Sequence, residues 1–136
     1  MKEQFNIDKK LTLLIILWVL DKLIILVIKM TTLYHYPLCP FSRKVRLLLG
    51  EQKIGVDLIV ERYWENRKEF VQLNPSGEVP VMLFDDITFC GHYAITERLE
   101  NKYSAILPED IEQKAENRRL IDWFDNKFYK EVSKVI

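Results

Sequence analysis

The sequence predicts an α/β fold in which a βαβ unit is followed by a ββα unit and a helical segment. Residues 31–61 show a strand, a helical apolar spacing and a second strand, while residues 79–102 show two short strands and a helix. A crossover helix makes the first pair of strands parallel, and a tight hairpin makes the second pair antiparallel. The chain of 136 residues therefore fits one compact domain and a piece of another.

Composition excludes several classes of function. Lys+Arg and Asp+Glu are equal at 20 each, so the formal net charge is zero and gives no electrostatic argument for a nucleic acid partner. The two cysteines, Cys39 and Cys90, form neither a CxxC motif nor a metal-type cluster. We therefore expect no metal site and no disulfide scaffold, and we predict a reducing, cytoplasmic location.

The N-terminal segment, residues 1–29, has three interpretations. It carries a run of ten apolar or neutral residues, 11–20, and a second run, 23–28, separated by Asp21-Lys22. It is a misplaced translation start ahead of Met30, a membrane-associating helix, or a helix packed on the domain. Asp and Lys near the centre of a membrane span each cost roughly 2.5–3.5 kcal/mol, so membrane association is not the favoured interpretation.

The first strand leads into the most informative turn of the chain. Residues 31–36 are rich in β-branched and aromatic side chains, and residues 41–49 carry apolar side chains at helical spacing. Cys39 then falls at the N-terminus of the helix, where free N–H groups and the helix dipole favour an anion. A thiol in that position loses its proton more easily, and the thiolate is the nucleophile. Pro40 suits the first helical turn. The other interpretation of Cys39 is a small buried residue.

The middle of the chain predicts two more strands. Residues 56–61 form a nearly continuous apolar run, as expected for a strand inside a sheet. Residues 64–73 are charged and predict a short surface helix at most. A turn at residues 74–78 then leads through Val79-Pro80 into a strand at 81–84, and a proline is tolerated at that position.

A hairpin and a helix complete this unit. Asp85-Asp86 predicts a tight turn into a strand at residues 87–90, and residues 93–102 predict a helix that Gly91 and His92 precede. Cys90, at the end of an apolar strand, is expected to be a small buried hydrophobic residue.

The last segment, residues 109–136, predicts one long helix with a wide apolar stripe. Its members recur at spacings of one, three and four: Leu120, Ile121, Trp123, Phe124, Phe128, Val132 and Val135. Such a stripe needs a partner. The first domain, residues 11–28 and another chain all remain candidates.

Residues 36–46, Tyr-Pro-Leu-Cys-Pro-Phe-Ser-Arg-Lys-Val-Arg, resemble the opening of the glutathione S-transferase family, and Cys-Pro-Phe-Ser is closest to its cysteine-type members. The Asn-Pro-x-Gly-x-Val-Pro pattern that begins at Asn74 extends the resemblance. The resemblance implies a thioredoxin-like domain over residues 30–104 and the first helix of a truncated helical domain over residues 109–136. It also favours Met30 as the natural start.

The resemblance implies how this family would use the first motif. Cys39 would be the nucleophile and would form a mixed disulfide with glutathione, the co-substrate, with Pro40 and Ser42 in supporting positions. Ser42 supplies a hydroxyl rather than a second thiol, so the chemistry would be monothiol. No metal is implied.

The remaining glutathione contacts are carried over with one departure. Pro80 corresponds to a proline that is cis in this family. The backbone of Val79, the residue before it, would pair with the cysteinyl part of glutathione. Most members then carry Glu-Ser, whose serine holds the γ-glutamyl carboxylate, where this chain has Gly91 and His92. Helix N–H groups remain there, so both weakened and absent glutathione binding stay open.

The sequence leaves three functions open, and with them the question of enzyme activity. The first is a glutathione transferase or glutathione-dependent thiol oxidoreductase. The second is a non-enzymatic protein-binding module, as in stringent starvation protein A, and the third is a non-functional truncated fragment. The expected partners are glutathione and, on the helix at residues 109–136, a second copy of the chain or another protein.

Overall fold

A computed structural model describes residues 11–21, 31–103 and 106–133 of the chain. Residues 11–21 form helix α1, and the side chains along it are exposed. Within the described ranges, no helix is long and apolar enough to cross a membrane. Met30 and Val135, to which the sequence predictions refer, lie outside the described residues.

The elements after α1 follow the predicted order. They are β1 Thr31–His35, α2 Pro40–Glu51, β2 Val56–Val60, a 3₁₀ turn Tyr63–Glu65, α3 Lys68–Leu73, β3 Val81–Phe84, β4 Ile87–Cys90, α4 His92–Lys102 and α5 Ile111–Asp122. The last helix continues with a wider, π-type turn over Trp123–Ser133. The predicted α/β class, a βαβ unit followed by a ββα unit and a helical region, is confirmed.

The four strands form one mixed sheet in the order β2-β1-β3-β4. β1 and β2 are parallel, with Thr31 opposite Val56, and β3 runs antiparallel to β1, with Leu33 opposite Met82. The β3–β4 pair is antiparallel as well. Both predicted strand directions are therefore confirmed.

The prediction that the second strand lies inside the sheet is wrong. Among the described strands, β2 is an edge strand that pairs with β1 alone, and Leu58 and Val60 are 43% and 57% exposed. A continuous apolar run is typical of a strand that is covered on both faces, but it does not determine the position of that strand in the sheet.

The β3–β4 hairpin turns at Asp85 and Asp86, as predicted. Both residues have positive φ, 51° and 64°, the combination that two-residue hairpin turns require. Aspartate tolerates this left-handed conformation better than most residues, because its short side chain can bond the local backbone.

Two apolar clusters hold the sheet to its helices. The larger one joins α2 and α4 to the sheet: Leu33, Val45, Leu49, Met82, Phe84, Ile95 and Leu99. The smaller one consists of Phe70, Val79 and Val81, with Tyr34, Tyr36, Leu83 and Cys39 packed against it. The fold thereby brings the starts of α2, β3 and α4 together at one end of the sheet.

Candidate functional site

Cys39 occupies the N-cap of α2. Its backbone is extended, with φ −69° and ψ 120°, and Pro40 is the first helical residue. The half-buried thiol donates to the backbone oxygen of Val79 over 3.9 Å, within the longer range of sulfur hydrogen bonds. The strand-to-helix turn that the sequence predicts therefore directs the thiol toward the start of β3.

Ser42 stabilises this turn and does not border the cleft beside Cys39. Its side chain is fully buried, and its hydroxyl accepts a hydrogen bond from the Tyr36 N–H at 3.3 Å. The hydroxyl thus links the end of the first strand to the first turn of α2, and it supports Cys39 through the backbone.

Val79 and Pro80 lie beside the Cys39 thiol, just before β3 begins. The bond between them is cis, and both side chains are buried. The Pro80 carbonyl accepts a hydrogen bond from the Gly91 N–H at 2.9 Å. Gly91 is the N-cap of α4 with φ 83°, a conformation that glycine adopts readily. The start of β3 is therefore tied directly to the start of α4.

His92, the first residue of α4, packs against the helix that carries Cys39. Its ring stacks on Phe41 with centroids 4.3 Å apart and planes 9° apart. Its Nε2 atom lies 3.2 Å from Asp125 Oδ2, and both side chains are largely buried. Burial, followed by the Lys44 charge, lowers the pKa of His92, and Asp125 opposes that shift only in part.

Asp125 connects the C-terminal helix to this end of the sheet. Lys44 Nζ of α2 donates a hydrogen bond to Asp125 Oδ2, the oxygen that also lies beside His92. The Asp125 side chain is only 10% exposed. We refer to Lys44, His92 and Asp125 as the Asp125 cluster.

A cleft of about 360 Å³ opens beside the Cys39 thiol. It is lined by Cys39, Phe41, Tyr63, Glu78, Val79, Asp125, Asn126, Tyr129 and Lys130. Burial raises the pKa of Tyr63, and the neighbouring Cys39 adds to that shift, so the phenol keeps its proton at neutral pH. The cleft thus combines a thiol, two phenols, two carboxylates and an ammonium group.

Sequence reasoning missed six of these lining residues: Tyr63, Glu78, Asp125, Asn126, Tyr129 and Lys130. A weak signal existed in the last helix, where residues four apart, such as Asp125 and Tyr129, are neighbours on one face. The Tyr129 ring also contacts Phe41, with centroids 4.7 Å apart.

Cys90 is exposed, so the prediction of a buried residue is wrong. β4 is the second edge strand of the sheet, and Cys90 is its last residue. Its thiol donates to the Leu73 carbonyl at 3.4 Å, and partial burial raises its pKa. As at β2, a strand at the edge of the sheet is covered only in part, even when its residues are apolar.

Part of the predicted apolar stripe remains uncovered in the described chain. Trp123, Phe124 and Phe128 contact one another with centroids 4.9–5.8 Å apart, and they are 40%, 53% and 38% exposed. We call these three residues the aromatic patch. On the neighbouring side, Ile121 lines a separate apolar groove of about 750 Å³ between α2, α4 and α5.

Comparison with known proteins gives consistent results. Residues 33–114 match the family described as glutathione S-transferase, N-terminal domain. FtsZ-localized protein A of Caulobacter vibrioides is 43% identical over 108 residues, which are 75% of this chain and 47% of that protein.

Two solved structures extend this comparison. A glutathione S-transferase from Sinorhizobium meliloti superposes with a TM-score of 0.73 and 41% identity over 77% of this chain and 48% of the other. A glutathione S-transferase from Methylobacterium radiotolerans was solved in complex with glutathione sulfonate. It superposes with a TM-score of 0.61 and 27% identity over 65% of this chain and 43% of the other. The chain thus spans about half the length of these relatives.

Proposed function

Because this chain belongs to the glutathione S-transferase family, we propose that it transfers thiols through Cys39, with glutathione or a related thiol as co-substrate. The observation that carries this proposal is the place of Cys39 at the N-cap of α2, with its thiol at a cleft. The first N–H groups of a helix have no partner within the helix, so they stabilise a thiolate at that end.

The proposed reaction is a thiol–disulfide exchange. The Cys39 thiolate attacks one sulfur of a disulfide such as oxidised glutathione, a new S–S bond forms, and the old one breaks with its electron pair on the leaving thiolate. A second thiol then attacks the mixed disulfide and releases Cys39. The other cysteine, Cys90, donates to the Leu73 carbonyl and does not line the cleft, so we propose that the second thiol comes from a co-substrate.

The proposed substrate contacts follow the family pattern at Val79 but not at Gly91 and His92. Val79 turns its carbonyl toward the Cys39 thiol, which supports a role for its backbone beside the cysteinyl part of a substrate. Pro80, which follows Val79 and is fully buried, would support this stretch of backbone. At the other end Gly91 gives its N–H to Pro80, and His92 faces Asp125, so this end departs from the family pattern. The glutathione sulfonate in one solved relative supports a glutathione-type ligand.

Mass spectrometry after brief exposure to oxidised glutathione and to cystamine tests the proposal. We expect the first adduct on Cys39. Cys39→Ser should abolish that adduct, whereas Cys90→Ser, the matched control, should keep it. An adduct that forms first on Cys90 would contradict the proposed role of Cys39.

We propose protein binding as a second candidate function. It is favoured by the 43% identity to a protein named for its localisation to FtsZ, and by the exposed aromatic patch. Aromatic side chains are enriched at the centres of protein interfaces. The partner we propose is FtsZ, in the cytoplasm, and a second copy of this chain is the alternative partner of the C-terminal helix.

Co-sedimentation with FtsZ filaments tests this second function. We expect the chain to pellet with the filaments, Phe124→Ala to weaken binding, and Cys39→Ser to leave it unchanged. Absence from the pellet would exclude FtsZ as the partner. Failure of both the thiol and the FtsZ experiments would favour a non-functional fragment.

A further inference from the structure

Three elements meet at the Asp125 cluster. Lys44 comes from α2, His92 from the start of α4, and Asp125 from the C-terminal helix. The same carboxylate oxygen, Oδ2, receives the Lys44 hydrogen bond and faces His92 Nε2. Asp125 also lines the cleft of Cys39, so it is the member of the cluster that a substrate of this thiol would meet, with Lys44 and His92 behind it.

Lys44 is the formal cation of this cluster. His92 has a lowered pKa and is therefore mainly neutral at neutral pH, but its ring nitrogen still offers a polar atom. An ammonium group and an imidazole that face one point form a suitable receptor for a carboxylate. In this chain Asp125 supplies that carboxylate from within.

The charges in the rest of the cleft do not make up for the Lys44 charge, which Asp125 already neutralises. Glu78 and Asp125 contribute negative charge to its lining, and Lys130 contributes one positive charge. A ligand carboxylate that approached the cluster would meet the Asp125 carboxylate, and two like charges a few ångströms apart repel each other. A neutral or cationic group would not incur this cost.

We propose that Asp125 is a specificity-determining residue of the Cys39 cleft. Its carboxylate takes the place beside Lys44 and His92 that a ligand carboxylate would take. The cleft therefore favours thiols that are neutral or cationic at this end over thiols, such as glutathione, that carry a carboxylate there. This inference rests on the proposed thiol transfer and narrows its substrate class.

Calorimetric titration under reducing conditions tests the inference without any reaction of Cys39. Two peptides are compared: reduced glutathione, and N-acetylcysteinylglycine, which keeps the thiol and peptide bond but lacks the γ-glutamyl carboxylate. We expect Asp125→Asn to tighten glutathione binding by about tenfold, the scale of one charge-assisted hydrogen bond, and to leave the other peptide unchanged. A failed adduct experiment would leave this readout intact.

Two controls separate a local effect from a general one. Asp122→Asn removes the same charge from the same helix, and we expect no change with either peptide. In the double variant Lys44→Gln/Asp125→Asn the gain should disappear, because Lys44, the cation of the cluster, is removed as well. The proposal is overturned if Asp125→Asn leaves glutathione binding as it was, if both peptides gain equally, or if the double variant keeps the gain.

Discussion

At the scale of single residues, the two cysteines have opposite surroundings. Cys39 ends a turn at a helix N-terminus and borders a cleft. Cys90 ends an edge strand, and its thiol, like that of Cys39, donates to a backbone carbonyl. Partial burial also raises the pKa of Cys90. The reactive form, the thiolate, is thus disfavoured at Cys90.

We predict that Cys39 is alkylated several times faster than Cys90 near neutral pH. Cys39 lies at a helix N-terminus and lines a cleft, whereas partial burial raises the pKa of Cys90 and so disfavours its thiolate. Iodoacetamide rates across pH on Cys39→Ser and Cys90→Ser measure each thiol separately. Equal rates, or a faster Cys90, would show that the helix start does not activate Cys39.

The two histidines determine a pH dependence of stability. Burial, followed by the Arg46 charge, lowers the pKa of His35, and burial likewise lowers that of His92. The unfolded chain therefore takes up protons on both residues at a higher pH, near 6.5, than the folded chain does. Stability should be retained above that value and should fall as the pH drops below it.

Urea unfolding at pH 7.5 and pH 5.5 measures this effect. We expect a lower free energy of unfolding at pH 5.5, and a smaller difference between the two pH values in His92→Gln than in the wild-type chain. Carboxylates that titrate in the same interval contribute equally to both proteins. An unchanged difference in His92→Gln would contradict the assignment to this residue.

The candidate site was predictable only where a local motif defines it. Cys39, Val79 and Gly91 lie at turns whose sequence specifies the backbone, and the structure brings them to one end of the sheet. Asp125 has no such motif, since a carboxylate in a helix is usually a solvated side chain. Its role depends on the packing of a distant helix against α2 and α4, which no local pattern encodes.

At the scale of elements, α2 shows how one helix separates its two faces. Val45 and Leu49 are buried against the sheet, while Leu47 is 70% exposed. These positions follow the helical period, so the side that faces the sheet is apolar and fully covered. The two leucines therefore offer a matched pair for measuring what burial contributes.

We predict that Leu49→Ala lowers the free energy of unfolding by about 2–5 kcal/mol, because it leaves a cavity in the core. Leu47→Ala removes the same atoms from an exposed position and should cost about 0.5 kcal/mol or less. Chemical denaturation of both variants checks this. Similar costs at the two positions would mean that Leu47 is covered in solution, for example by a partner.

The order of helices and strands was predictable because turn residues punctuate the chain. β3, β4 and the hairpin at Asp85-Asp86 have the predicted bounds. The neighbours of each strand were less accessible to prediction, since they depend on pairings across the whole domain. This is why the sequence placed β2 inside the sheet although the structure leaves it at the edge.

At the scale of the whole molecule, the N-terminal and C-terminal segments differ in their connections to the sheet. Helix α1 presents exposed leucine, isoleucine and tryptophan side chains along its length. The C-terminal helix is held at Lys44 by Asp125 and at Glu100 by Lys114 and Arg118. The second of these segments is therefore the one that should influence the stability of the α/β domain.

We predict that deletion of residues 1–29 leaves the domain at residues 30–104 folded, with an unchanged free energy of unfolding. The described part of this segment is exposed, and the first strand starts at Thr31. Urea denaturation and gel filtration of both chains test this, and the shorter chain should also self-associate less. A shorter chain that fails to fold would make the segment structural.

The strand order also has a consequence for synthesis. β1 is made before the other described strands, yet in the sheet it lies between β2 and β3, and Leu33 pairs with Met82 far along the chain. At about 5–20 residues per second, a ribosome releases β1 several seconds before β3. Until β3 is made, the side of β1 that faces away from β2 therefore has no strand to pair with. We expect this unpaired strand edge to be the place where the nascent chain is most open to pairing with other chains.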